Sequence, residues 1–147
     1  MPKEGISRKE YRIAKFGSWE RSQELDANVI ENGKAEGIDF AFNLIERTPN
    51  TIDAHRLIWF AGQEGFQDAV VEALFLAYFT FGKDLSNRKA LIDIVVQAGL
   101  VQQSTEEFLD GSTGISEITE SKRLSSELGV DGVPFFLVNR RIALAGA

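Results

Sequence analysis

Thiol chemistry has no side chain to run on in this sequence, because its 147 residues include one histidine and no cysteine. The thiolate is the nucleophile and metal ligand of cysteine chemistry, so a disulfide framework, a thiolate metal site and thiol chemistry from this chain are excluded. A single imidazole, His55, gives little support to a multi-histidine metal site or a histidine relay. His55 falls in Arg47-Thr48-Pro49-Asn50-Thr51-Ile52-Asp53-Ala54-His55-Arg56-Leu57, where Pro49 stops what precedes it and Asn50 or Thr51 can cap a new helix. Asn50 therefore reads as a cap, and His55 as a hydrogen-bonding residue of the first helical turns with no reaction step attached. No metal and no cofactor is expected. The other conspicuous stretch is Gly129-Val130-Asp131-Gly132-Val133-Pro134-Phe135-Phe136-Leu137-Val138. Two glycines and a proline ahead of an aromatic and branched run read as a tight loop feeding a buried strand. Asn139-Arg140 offers a short turn and Ile142-Ala143-Leu144-Ala145 a second strand, which completes a hairpin. On spacing alone this is a loop before a core hairpin.

The elements that must hold these residues are mostly helices. Ser7 with Glu10 three residues on is a capping-box pattern opening a helix to about Phe16, and Ser18 caps a second that ends near Gly33. That second helix is polar, and its charges read as a solvated face. Gly37 to Phe42 is a short strand or an extended connector. Ala54, Leu57, Ile58 and Ala61 form one apolar stripe on the helix that Gly65 ends. Between Ala69 and Phe81 the only charge is Glu72, so this segment is expected to be the central, most buried helix. Ser86 or Asn87 opens a further helix with Leu91, Ile94, Val95 and Ala98 on one face. A short helix to Leu109 follows, then a polar one in which Ile118, Leu124 and Leu128 are the expected buried positions.

The class is thus mainly α with a C-terminal β-hairpin, in a chain of ordinary single-domain length. A net charge of −6 and a pI near 4.9 argue against a nucleic-acid or anionic-membrane partner. No apolar run reaches the roughly 18 residues of a membrane span, and Met1-Pro2-Lys3-Glu4 does not open a signal peptide. A two-stranded hairpin is marginal in water, and Phe135 to Val138 are too apolar for an edge facing solvent. Pairing with a second copy is the cheap remedy, so a homodimer is expected.

The Gly-Val-x-Gly-Val-Pro-Phe-Phe segment, its hairpin and the closing Ala-Gly-Ala resemble the cis-proline loop of thioredoxin-fold proteins. The resemblance is closest to the DsbA-like family, in its FrnE-like branch, and implies a cytoplasmic location. Tyr11-Arg12 with Lys15-Phe16-Gly17-Ser18, then Gly37-Ile38-Asp39-Phe40, then Arg47-Thr48-Pro49-Asn50-Thr51 with Ala54-His55-Arg56-Leu57 resemble that family's helical insertion, in order. Glu72-Ala73-Leu74-Phe75 with Ala77-Tyr78-Phe79 continues it. The resemblance implies a thioredoxin-like α/β fold, with residues 1–128 as the helical insertion and 129–147 as cis-proline loop and hairpin. It places the family's first strand and Cys-x-x-Cys helix before Met1, and its last helix after Ala147. The expectation is a fragment of a thiol–disulfide oxidoreductase, inactive alone. By resemblance, Val133 and Pro134 bind substrate across a cis bond, Asn50 and His55 are candidate lining residues, and the partner is a thiol or disulfide protein or a small thiol. Two alternatives are a relative of the glutathione-dependent isomerases (2-hydroxychromene-2-carboxylate isomerase and kappa-class transferases), which use serine in place of cysteine, and a non-enzymatic helical interaction module.

Overall fold

The computed structural model describes residues 1–139 and 141–146; Arg140, half of the expected Asn139–Arg140 turn, and Ala147 lie outside the described residues. The chain divides into two compact units, Met1–Thr113 and Gly114–Ala147. The helix after Thr113 therefore groups with the hairpin, whereas the expected line at 128/129 followed the family architecture.

The first unit opens with β1 (Ile6–Ser7), α1 (Arg8–Phe16) and α2 (Trp19–Ala35). Both helices start where a hydroxyl takes an orphan amide. The Ser7 Oγ accepts from the Glu10 amide at 3.4 Å and the Ser18 Oγ from the Arg21 amide at 3.0 Å. The polar character of α2 does not leave all of it solvated: Ser22, Asp26 and Gly33 are buried. After the 3₁₀ turn Phe42–Leu44 comes β2 (Arg47–Thr48), which pairs antiparallel with β1, Ile6 opposite Thr48. This two-residue ladder joins segments some forty residues apart, too short and too distant to be read from local pattern. Gly37 to Phe42 is a connector that delivers aromatic rings. Phe40 stacks on Phe42 at 5.2 Å between centroids, and Phe79 meets both rings edge-on.

Four helices then close a ring: α3 (Ile52–Glu64), α4 (Gln67–Phe75), α5 (Arg88–Gln97) and α6 (Gln102–Asp110), with α6 returning to α3. Ala54, Leu57 and Ala61 of α3 meet Val70 and Leu74 of α4, Leu91, Ile92 and Val95 of α5, and Leu109 of α6 in one core. Gly65, at φ 81°, ends α3 in the left-handed conformation that glycine adopts without steric penalty. The Asn87 Oδ1 caps α5 by accepting from the Ala90 amide at 3.0 Å. The expectation for Ala69 to Phe81 is corrected. The helix is regular only to Phe75, runs on as a π-helical turn Leu76–Thr80, and buries Val70, Leu74 and Ala77 alone. Phe75, Leu76 and Phe81 stay 57, 49 and 58% exposed, while α4 packs against α3 and α5.

The second unit holds α7 (Ile115–Glu127), β3 (Phe135–Val138) and β4 (Ile142–Ala145). The strands pair antiparallel, Phe135 opposite Ala145 and Val138 opposite Ile142. The expected burial of α7 is also corrected: Leu124 and Leu128 are exposed and Ile118 is half-buried. In the hairpin Phe136, Leu137, Val138, Ile142 and Leu144 are exposed as well.

Candidate functional site

Asn50 serves as a clasp. Its Oδ1 accepts from the Ile52 amide at 3.1 Å, relieving an orphan donor of α3, while its Nδ2 donates to the Met1 and Pro2 carbonyls at 3.2 and 3.3 Å. Its own amide donates to the Ser86 Oγ at 3.1 Å. Asn50 thereby binds the N-terminal lead, the start of α3 and the turn before α5 together, and its side-chain oxygen and amide group are occupied. Thr51, the other capping candidate, makes no such side-chain bond.

His55, one turn into α3, is exposed and lies on the wall of a cavity of about 290 Å³. Ala54 and Ile58 share that wall, Leu74 and Phe75 form the α4 side, and Tyr78 and Phe79 come from the π-helical turn. The extra residue of a π turn shifts the side chains that follow, a device frequent where a helix shapes a site. The lining is apolar apart from His55, Tyr78 and two threonines, Thr48 and Thr51. The Tyr78 hydroxyl donates to the Arg47 carbonyl at 3.4 Å. Burial pushes the Tyr78 phenol above its ordinary pKa; nearby Arg8 and Arg12 pull it down and Asp84 pushes it up. The cavity can hold an apolar group with one or two hydrogen bonds at its rim. Asn50 does not line it.

Val133 and Pro134 belong to the second unit, so the residues expected to share a site lie in different compact bodies. The Val133–Pro134 peptide bond is cis. Val133 is 90% exposed, and its amide and carbonyl make no backbone hydrogen bond among the described residues. Its neighbours are tied down: the Gly146 amide donates to the Pro134 carbonyl at 3.0 Å, and the Val130 amide to the Ser125 carbonyl at 3.0 Å. A loop that leaves one peptide unit unpaired can pair with an extended chain, as an exposed strand edge does.

Two charged clusters escaped the reading of the sequence. Arg56 is 3% exposed; its Nε donates to the Thr113 carbonyl, its Nη2 to the Phe108 and Gly111 carbonyls, and its Nη1 to Asp53 Oδ1. It thus satisfies carbonyls at the C-terminal end of α6 with a cation, where the helix dipole favours one. Arg8 and Arg12 of α1 both bind Asp26 of α2, at 2.7 and 2.6 Å. The signal available for that pair was two residues four apart on each helix, Arg8 with Arg12 and Ser22 with Asp26, which places each pair on one face. Among the described residues no three histidine, cysteine, aspartate or glutamate side chains cluster as a metal site. No helix there is long and apolar enough to cross a membrane.

The family model of the DSBA-like thioredoxin domain matches residues 1–147. A solved structure of a probable DsbA oxidoreductase from Streptomyces coelicolor superposes with a TM-score of 0.84 at 25% identity. It is matched by 99% of this chain, which spans 63% of that neighbour's length. No curated protein matches the sequence.

Proposed function

The chain belongs to the DSBA-like thioredoxin domain family, a thiol–disulfide oxidoreductase-like family, and from that membership we propose that it supplies the helical scaffold and the proline loop of a disulfide oxidoreductase. The observation that carries the reading is a family match over all 147 residues in a sequence without cysteine. Exchange needs a thiolate to attack a disulfide sulfur, form a mixed disulfide and expel the other sulfur as thiolate. These residues contain no thiol, so the attacking group is supplied from outside them and this polypeptide by itself is inactive.

The share left to this chain is to hold the substrate. The unpaired peptide unit of Val133, beside Pro134, pairs with an extended segment carrying the thiol or disulfide, and His55 lines a cavity for an apolar group. The partner is a thiol or disulfide protein or a small thiol, and the ordered segments around Asn50 and Pro134 favour the FrnE-like branch with a cytoplasmic location. Exposed apolar residues on both faces of the hairpin favour a homodimer in which a second copy covers them.

Two measurements test this. Insulin reduction by the pure chain in the presence of dithiothreitol is expected to proceed at the uncatalysed rate; catalysis above it, with contaminating oxidoreductases excluded, overturns the assignment of the thiol elsewhere. An extended peptide containing one cysteine is expected to shift the amide resonances of Val133 and Phe135 in a saturable way. An unperturbed loop overturns the substrate-holding role.

A further inference from the structure

Two hollows lie along α4 and the π-helical turn, one of about 400 Å³ and one of about 310 Å³. Glu72 and Leu76, one helical turn apart, line both, so they form a ridge with a hollow on either side. Along the larger hollow runs a low row, Ala69, Ala73 and Ala77, again one turn apart. The exposed side chains of Ile38, Phe75, Leu76 and Phe81 all line one hollow or the other, so they form a continuous apolar face and are not scattered singly.

A ridge beside a row of alanines is the relief against which a second helix packs, ridge into groove. Ridge and groove belong to the same surface here. A second copy of the chain therefore brings a Leu76 for the first copy's alanine row and an alanine row for the first copy's Leu76. That is a closed, two-fold contact. Charge selects its direction. Glu72 and Lys83 are the only charged residues lining either hollow, and neither forms an ion pair among the described residues. Glu72 stands in the second turn of α4 and Lys83 follows the end of the π-helical turn, so the face is acidic at one end and basic at the other. Antiparallel pairing sets each Glu72 against the Lys83 of the other copy, whereas parallel pairing sets like charges together. Such exposed pairs add little affinity but fix orientation. An unrelated partner would have to carry the reverse arrangement; a second copy carries it by symmetry.

We propose that this face is a self-complementary contact on which a second copy of the chain packs antiparallel across Leu76, each Glu72 meeting the other copy's Lys83. The face is one helix wide, so the pairing is weak and reversible and is populated at high concentration. It lies within the first unit and is separate from the hairpin contact proposed above.

Because the chain has no cysteine, one introduced thiol is its only thiol. Thr80→Cys places it on the face, and Ser104→Cys on an exposed part of α6 that lines neither hollow. Each full-length variant, at submillimolar concentration, is treated with a short bis-maleimide. Linked pairs are read on a denaturing gel, and their rate is divided by that of labelling with N-ethylmaleimide. Linking through Thr80→Cys is expected to be at least tenfold faster than through Ser104→Cys. Leu76→Asp, at an exposed position, leaves the fold in place and is expected to bring the rate down to the Ser104→Cys level. Glu72→Lys sets cation against cation and is expected to slow linking severalfold. Adding Lys83→Glu to it restores the rate, which a change in folding would not do. Phe136→Asp, which removes the hairpin contact, is expected to leave linking through Thr80→Cys unchanged, so the two contacts can fail separately. Linking no faster than through Ser104→Cys, a double charge exchange as slow as Glu72→Lys alone, or linking lost with Phe136→Asp overturns the contact.

Discussion

At the scale of single residues, Arg56 is the clearest case of a side chain whose role is set by distant partners. Its guanidinium accounts for three carbonyls more than fifty residues further along the chain and lies 5.1 Å over the Phe108 ring. Phe108 is half-buried and Gly111 and Thr113 are exposed, so water can reach the freed carbonyls, and Arg56→Ala is expected to cost about 1–3 kcal/mol in urea unfolding through its lost hydrogen bonds. Arg56→Lys should recover only part, because an ammonium cannot reach several acceptors in a fixed plane. None of this was legible in the sequence: a helix arginine is ordinarily solvated, and Phe108, Gly111 and Thr113 carry no mark of their carbonyls' partner. Asn50 was legible as a cap because its bond to Ile52 is local. Tyr78 gives a pH prediction. Burial raises its phenol above the ordinary value of about 10, so the folded state holds that proton to higher pH than the unfolded chain. The stabilisation tied to this group is complete below about pH 10 and is lost as pH rises through the folded pKa. Stability measured by urea unfolding should fall over that alkaline range, and Tyr78→Phe should remove this part of the fall.

At the scale of elements, the run from Ala69 to Phe81 shows what hydrophobicity alone misses. Its lack of charge was legible, and so was the α3 stripe, in which Ala54, Leu57 and Ala61 are indeed buried. Which faces of the run are covered depends on where α3 and α5 stand, and on a π turn that periodicity does not register. Two substitutions separate the readings. Leu74, 4% exposed, meets the core, and Leu74→Asp is expected to abolish cooperative folding because an unpaired buried carboxylate is costly. Leu76, 49% exposed, should tolerate aspartate within about 0.5 kcal/mol, the usual range for surface changes. Thermal melts monitored by circular dichroism read both; equal loss in the two variants would mean that the run is covered on all sides. The capping serines and Asn87 were legible because capping is a local contract between a side chain and an amide three residues on.

At the scale of the whole molecule, the hairpin sets the association prediction. Fully burying a large apolar side chain is worth roughly 1.5–3 kcal/mol, and five such side chains of β3 and β4 are exposed. Light scattering at micromolar concentration is expected to give twice the chain mass of 16.3 kDa; a mass near the single-chain value, independent of concentration, refutes the homodimer. The loop around Pro134 and the two strands were legible from turn residues and branched side chains. The grouping of α7 with the hairpin was not, since contacts and not composition draw that line. The Arg56 clasp has a mechanical consequence there. It grips the backbone at Phe108, Gly111 and Thr113, immediately before the second unit begins. Tension applied through the C-terminal end would run through an exposed hairpin and a polar helix first, then stop at that clasp. One guanidinium thus acts as a cleat that shares a pull on the tail between α6 and α3.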